Sequence, residues 1–129
     1  MGRIRFNMKI LKNKCFDQWA KKECLTDETL IQAVLETVAG QYEAYLGAYL
    51  YKKRVALPGR GKRGGARTII AVRRDDRAFF IYGFAKNAKA STSSKELEAL
   101  KDLARDYLNH DEVMIKRMLK EKLLIEVLL

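Results

Sequence analysis

Nine basic residues and no acid lie between positions 52 and 74: Lys52, Lys53, Arg54, Arg60, Lys62, Arg63, Arg67, Arg73 and Arg74. Cations gathered this way can hold phosphate. They can also stabilise charge building on a phosphorane-like transition state and protonate a leaving oxygen. RNA brings its own nucleophile, the 2′-hydroxyl, so such chemistry needs no histidine. Lys52 and Arg54 are two apart, which puts them on one face of an extended strand, with Val55 and Leu57 turned the other way. The run also crosses a glycine-rich stretch, Pro58 to Gly65, where backbone N–H groups can approach phosphate. A single sign, a glycine-rich crossing and continuation onto strands favour polyanion binding over a merely solvated face. Lys53, Arg60, Lys62, Arg63 and Arg73 join Lys52, Arg54 and Arg67 as candidate contacts.

Other chemistries find little support. The single histidine, His110, falls at the end of an expected helix and reads as a surface or capping residue. Cys15 and Cys24 are too few for a disulfide framework or a four-ligand zinc site, and read as two reduced thiols. No metal cluster and no cofactor is expected. Gly59, Gly61, Gly64 and Gly65 match neither a phosphate-binding P-loop nor a dinucleotide-binding turn, because a strand follows where a helix is needed. They read instead as a mobile connection that orders on RNA or on a partner. No apolar run approaches the about 20 residues of a membrane span, and no signal-peptide pattern opens the chain. A cytoplasmic protein without membrane contact is the expectation.

The chain has 129 residues, a net charge of +10 and 48% apolar residues, which fits one compact domain over residues 1–129. Ile4 to Leu11 alternates as a half-buried strand. Phe16, Trp19 and Ala20 space a short amphipathic helix over 15–24. Thr26 can cap a second helix that ends before Gly40. Strands are expected over 49–57, 66–74 and 77–84, with a loop at 58–65 and a turn at Asp75-Asp76. Residues 79–82 are apolar on both faces, as in a central strand covered on both sides. Ser93 and Glu96 form a capping-box pattern for a helix to about Leu108. The tail over 110–129 is ambiguous: one or two helical turns, then a short strand. The order is β-α-α-β-β-β-α plus a tail. It predicts an α+β domain: an N-terminal helix pair packed on an antiparallel sheet, with a C-terminal helix. Residues 25–48 hold four acids, Asp27, Glu28, Glu36 and Glu43, and no base, so the positive charge is concentrated downstream.

Tyr51-Lys-Lys-Arg-Val55, Gly64-Gly-Ala-Arg-Thr68 and Phe79-Phe-Ile-Tyr-Gly-Phe-Ala-Lys-Asn87 together resemble the RelE/ParE toxin superfamily, and more narrowly its RelE-like branch. The resemblance runs over about residues 6–127. It implies a small RelE-like domain and the toxin of a type II toxin–antitoxin system. It also implies a ribosome-dependent mRNA endonuclease that inhibits translation through 2′-OH attack. The implied partners are the ribosome with its mRNA and a cognate antitoxin, often of helix-turn-helix type. Operator DNA would be reached only through the antitoxin complex. In the RelE-type pattern a Lys and a second cation two residues on share a strand, and an Arg follows on the next. Lys52, Arg54 and Arg67 occupy those places, with Lys86 the candidate general acid.

The chain departs from that pattern in four places, one of them Ala88-Lys89-Ala90, which differs from the branch's more acidic, Asn-containing run. Asn87 replaces an Arg after the last strand, Ser93 falls where a Tyr opens the last helix, and Ala66 stands where the branch has an aromatic that could stack on a base. Lys86, Asn87 and Lys89 are the candidates to substitute at that end of the site. Two alternatives stand beside the endonuclease. One is a DNA gyrase poison of ParE type. The other is a weakened, non-catalytic toxin acting mainly in an antitoxin–operator repressor complex.

Overall fold

The computed structural model describes residues 8–59, 61–73, 76–85 and 93–128, with the backbone alone for 61–64. Four helices and six strands follow one another as β1 (Lys9–Asn13), α1 (Lys14–Lys22), α2 (Asp27–Val38), β2 (Ala44–Gly47), β3 (Leu50–Leu57), β4 (Gly61–Arg73), β5 (Arg77–Ala85), α3 (Ser94–Asn109), α4 (Glu112–Lys120) and β6 (Leu124–Glu126). Each helix starts on a side chain that accepts an otherwise unpaired backbone N–H. Asn13 accepts from Phe16, Thr26 from Thr29 and Asp111 from Met114. Ser93 and Glu96 close the expected capping box from both sides. The helices therefore begin where short polar residues precede apolar periodicity.

The strands form one sheet in the order β2-β3-β4-β5-β1-β6. β2 to β5 make an antiparallel meander, and β6 is antiparallel to β1. The one parallel pair is β1 with β5, where Leu11 lies beside Phe79. Strand direction between segments so far apart in sequence has no local signature. β5 lies between β4 and β1, and its apolar run meets a core on each side, as expected of a covered central strand. On one face Phe16 and Ala20 of α1 and Leu30 and Val34 of α2 pack on Val55, Ile70 and Phe80. On the other, Ala104, Tyr107 and Leu108 of α3 and Ile115 of α4 pack on Leu50, Ile69 and Phe79. Trp19 packs so closely on Gly83 that a Cβ there would stand 2.3 Å from its ring, and any side chain would force the ring to move.

Three expectations change, and the ambiguous tail settles as one of its stated readings. The glycine-rich stretch is not a loop up to residue 65: β4 begins at Gly61, paired with Leu57, after a turn in which Gly59 takes φ +77°. Pairing with β3 outweighs the weak strand propensity of glycine. β2 is an additional strand. It was hidden because it is only four residues long and because its turn uses Ala48 and Tyr49 at φ +52° and +63°, rather than Asn or Gly. The first strand is Lys9–Asn13 rather than Ile4 to Leu11. Met8 and Ile10 do share one core, whereas residues 4–7 lie outside the described residues. The tail resolves into α4 and β6, with Ile115, Leu124 and Val127 buried. It is further tied to α2 by Leu128 N–H donating to Asp27. No helix among the described residues is long and apolar enough to cross a membrane.

Candidate functional site

β3 and β4 carry the candidate site. Cross-strand partners share a face. Lys52 pairs with Ile69, which pairs with Tyr82 of β5; Arg54 pairs with Arg67, which pairs with Phe84. Two rows thus lie side by side on the face covered further along by α3, one Lys-Ile-Tyr and the other Arg-Arg-Phe. Like charges directly opposite destabilise a sheet. Here a carboxylate offsets the repulsion. Glu43, just before β2, accepts from Arg54 Nε at 3.0 Å and from Arg67 Nε at 2.9 Å, with Lys52 Nζ at 3.9 Å. Burial would raise the Glu43 carboxyl, but the hydrogen bonds of Arg54 and Arg67 and the nearby Lys52 charge outweigh it and hold the group below the usual carboxylate range. The carboxylate is therefore ionised at neutral pH, and three cations against one anion leave a local excess of positive charge.

The environment is graded. Arg54 is half exposed and Lys52 mostly covered, while the Arg67 side chain is only 13% exposed. Arg67 Nη1 is buried with no hydrogen-bond partner among the described residues. An orphaned guanidinium N–H in such a setting is costly, and an incoming oxyanion would satisfy it. Beside the cations, the Tyr82 and Phe84 rings sit 5.8 Å apart. Tyr82 also lines a shallow cavity of about 230 Å³ with Glu96, Ala99, Leu100 and Leu103 of α3. A β-bulge puts these two aromatics on the cation face. Ile69 pairs with Tyr82 but Ile70 with Phe80, so Ile81 is extra and the alternation resets.

The other expected contacts separate from this group. Lys53 points to the opposite face. It is 6% exposed there, 2.8 Å from Glu36 of α2, and donates to the Gln41 carbonyl at 2.8 Å. That is the position of a structural counterion, as strand alternation demands. Arg73 lies six residues beyond Arg67 on β4, held by Asp76 at 2.6 Å. Arg60, Lys86, Asn87 and Lys89 lie outside the described residues, and the side chains of Lys62 and Arg63 are not described. Ser93 is engaged as a helix cap. Ala66 is fully buried against the α1–α2 core, so an aromatic at this position would not face the cations. Tyr82 and Phe84 are the aromatics on that face.

Charge clustering and strand alternation do not single out Glu43, Tyr82 or Phe84. Glu43 had one signal: the acid-only stretch over 25–48 complements the base-only stretch that follows. Among the described residues no group of three or more His, Cys, Asp and Glu side chains could hold a metal ion, and Cys15 and Cys24 are exposed free thiols.

Arginines that carry planar N–H donors, with a neighbouring lysine, make a surface suited to a phosphate; of the two rings beside them Phe84 is buried and Tyr82 partly exposed. No curated protein sequence matches the chain significantly. The family model for the RelE toxin of the RelE/RelB toxin–antitoxin system matches residues 8–127, nearly the whole chain, and the protein belongs to that toxin family.

Proposed function

We propose that this RelE-family toxin is a ribosome-dependent mRNA endonuclease that inhibits translation. Lys52, Arg54 and Arg67 bind the scissile phosphate and stabilise the charge that develops on it. The neighbouring 2′-hydroxyl gives up its proton to solvent and attacks phosphorus, the bond to the 5′-oxygen breaks to leave a 2′,3′-cyclic phosphate, and the departing 5′-oxygen takes up a proton. Lys86 is the proposed general acid. The ribosome positions the mRNA, which lets a site without a described acid–base pair work. A cognate antitoxin of helix-turn-helix type restrains the toxin in the cytoplasm, and operator DNA is reached through that complex alone. Membership of the toxin family supports the toxin role. The single observation that carries the chemistry is the convergence of Lys52, Arg54 and Arg67 on one sheet face, with the Arg67 Nη1 group lacking a hydrogen-bond partner among the described residues.

Primer extension on mRNA from a reconstituted translation reaction tests the reading. Cuts that require both ribosomes and Arg67 support it. Intact mRNA in the presence of folded, growth-inhibiting protein overturns it, and a gyrase supercoiling assay then tests the remaining toxin mechanism.

A further inference from the structure

Phosphate binding by three cations leaves Glu43 unexplained, because a carboxylate in the middle of such a site repels the ligand. We propose that the Glu43 carboxylate occupies the seat of an RNA backbone phosphate, and that single-stranded RNA binds by displacing it. This rests on the proposed role of the cations as phosphate ligands and adds what fills their centre when RNA is absent.

Several features support the inference. The two Glu43 oxygens divide between two arginines, Oε2 with Arg54 Nε and Oε1 with Arg67 Nε. The two non-bridging oxygens of a phosphodiester can divide in the same way. Glu43 leaves donor capacity unused, since Arg67 Nη1 is buried without a partner among the described residues. A tetrahedral phosphate spreads its oxygens more widely than a planar carboxylate and can reach such a donor. The backbone at Glu43 is anchored by its N–H donating to the Lys52 carbonyl at 2.8 Å, so only the side chain must swing. That side chain is 22% exposed and borders solvent. Displacement also makes the site selective. A lone phosphate must compete with a tethered carboxylate, whereas an RNA segment brings further contacts through neighbouring nucleotides and bases.

The test uses the full chain and a short single-stranded RNA, fluorescein-labelled and 2′-O-methylated so that it cannot be cleaved. Fluorescence anisotropy compares wild type, Glu43→Gln and Arg67→Ala over a range of salt concentrations. Glu43→Gln keeps the shape and removes the charge. It should bind about fivefold tighter, the scale of a few partly exposed ion pairs. Its salt dependence should steepen by about one in log–log slope, because cations freed from Glu43 attract solution anions that RNA must then release. Unchanged or weaker binding with an unchanged slope overturns the proposal. The arginine variant separates the two levels. If Arg67→Ala binds like wild type, the phosphate reading fails and displacement fails with it. If Arg67→Ala weakens binding but Glu43→Gln does not tighten it, displacement alone fails. A measurement on wild type guards against misfolded variants: saturating RNA should shift the Arg54 and Arg67 Nε–H NMR signals and move the Glu43 carboxyl carbon to its solvated position. An unmoved Glu43 signal overturns the proposal.

Discussion

Lys52 and Lys53 are neighbours on β3 and meet opposite fates. Lys53 turns towards α2, where it is nearly buried against Glu36 at 2.8 Å, with the Gln41 carbonyl as a second acceptor. Lys52 turns the other way and joins Arg54 and Arg67 around a single carboxylate, all on a face that reaches solvent. Residue type does not distinguish the two sites; burial does. A buried cation needs a dedicated partner, because an unpaired charge in a low-dielectric setting is costly. A cluster that borders solvent through Arg54 tolerates an excess of charge because water screens part of it, and that excess is what an incoming polyanion uses.

The largest effect that would sharpen this contrast is Arg67→Ala. It should reduce mRNA cleavage on the ribosome by about a hundredfold, the scale of losing one preorganised charge-stabilising donor. Stability should change by only about 1 kcal/mol. Cleavage rates by primer extension, with a denaturant melt alongside, check both halves.

Lys53→Ala is the mirror experiment. It should cost about 2 kcal/mol of stability by removing the buried ion pair with Glu36 and the hydrogen bond to the Gln41 carbonyl. RNA affinity of the folded protein should stay within about twofold of wild type, since one distant charge is lost. An affinity loss like that of Arg67→Ala would break the division between the faces.

The smallest effect concerns pH. The Glu43 carboxyl is held below its ordinary range, so its ion pairs stabilise the fold above the unfolded value. That contribution is lost as the pH falls through the depressed folded value. The melting difference between wild type and Glu43→Gln should therefore be constant near neutrality and shrink on acidification below about pH 4.5. No difference near neutrality would mean that Glu43 stabilises the fold by its shape, which Gln shares, rather than by its charge.

The two faces also differ in how legible they are. Alternation along residues 52–57 separates Lys52 and Arg54 from Val55 and Leu57, and the same rule sends Lys53 to the opposite side, away from the binding face where the basic run had suggested it. Helix starts at Thr26 and Ser93 follow from local capping chemistry. Period two fails on β5. The extra residue at Ile81 resets the phase, and Tyr82 and Phe84 reach the cation face only because of that bulge. Glu43 is nine residues from Lys52 and 24 from Arg67, and meets both only once β2 has paired with β3. No pattern in its own neighbourhood announces that pairing, since the connecting turn holds Ala48 and Tyr49 in left-handed conformations usually left to Asn or Gly.

The amino-acid order by itself determined the first three helices, most of the strands, the excess of basic charge and the strand face shared by Lys52 and Arg54. These depend on interactions within a few residues, where side-chain period and capping groups suffice. The tertiary structure alone decided that Arg67 lies opposite Arg54, that one carboxylate stands between them, that two aromatics flank them and that Lys53 is withdrawn into a buried pair. Those outcomes depend on register, a bulge and the meeting of distant segments, and only the packing of both sheet faces selects among the pairings that local chemistry permits.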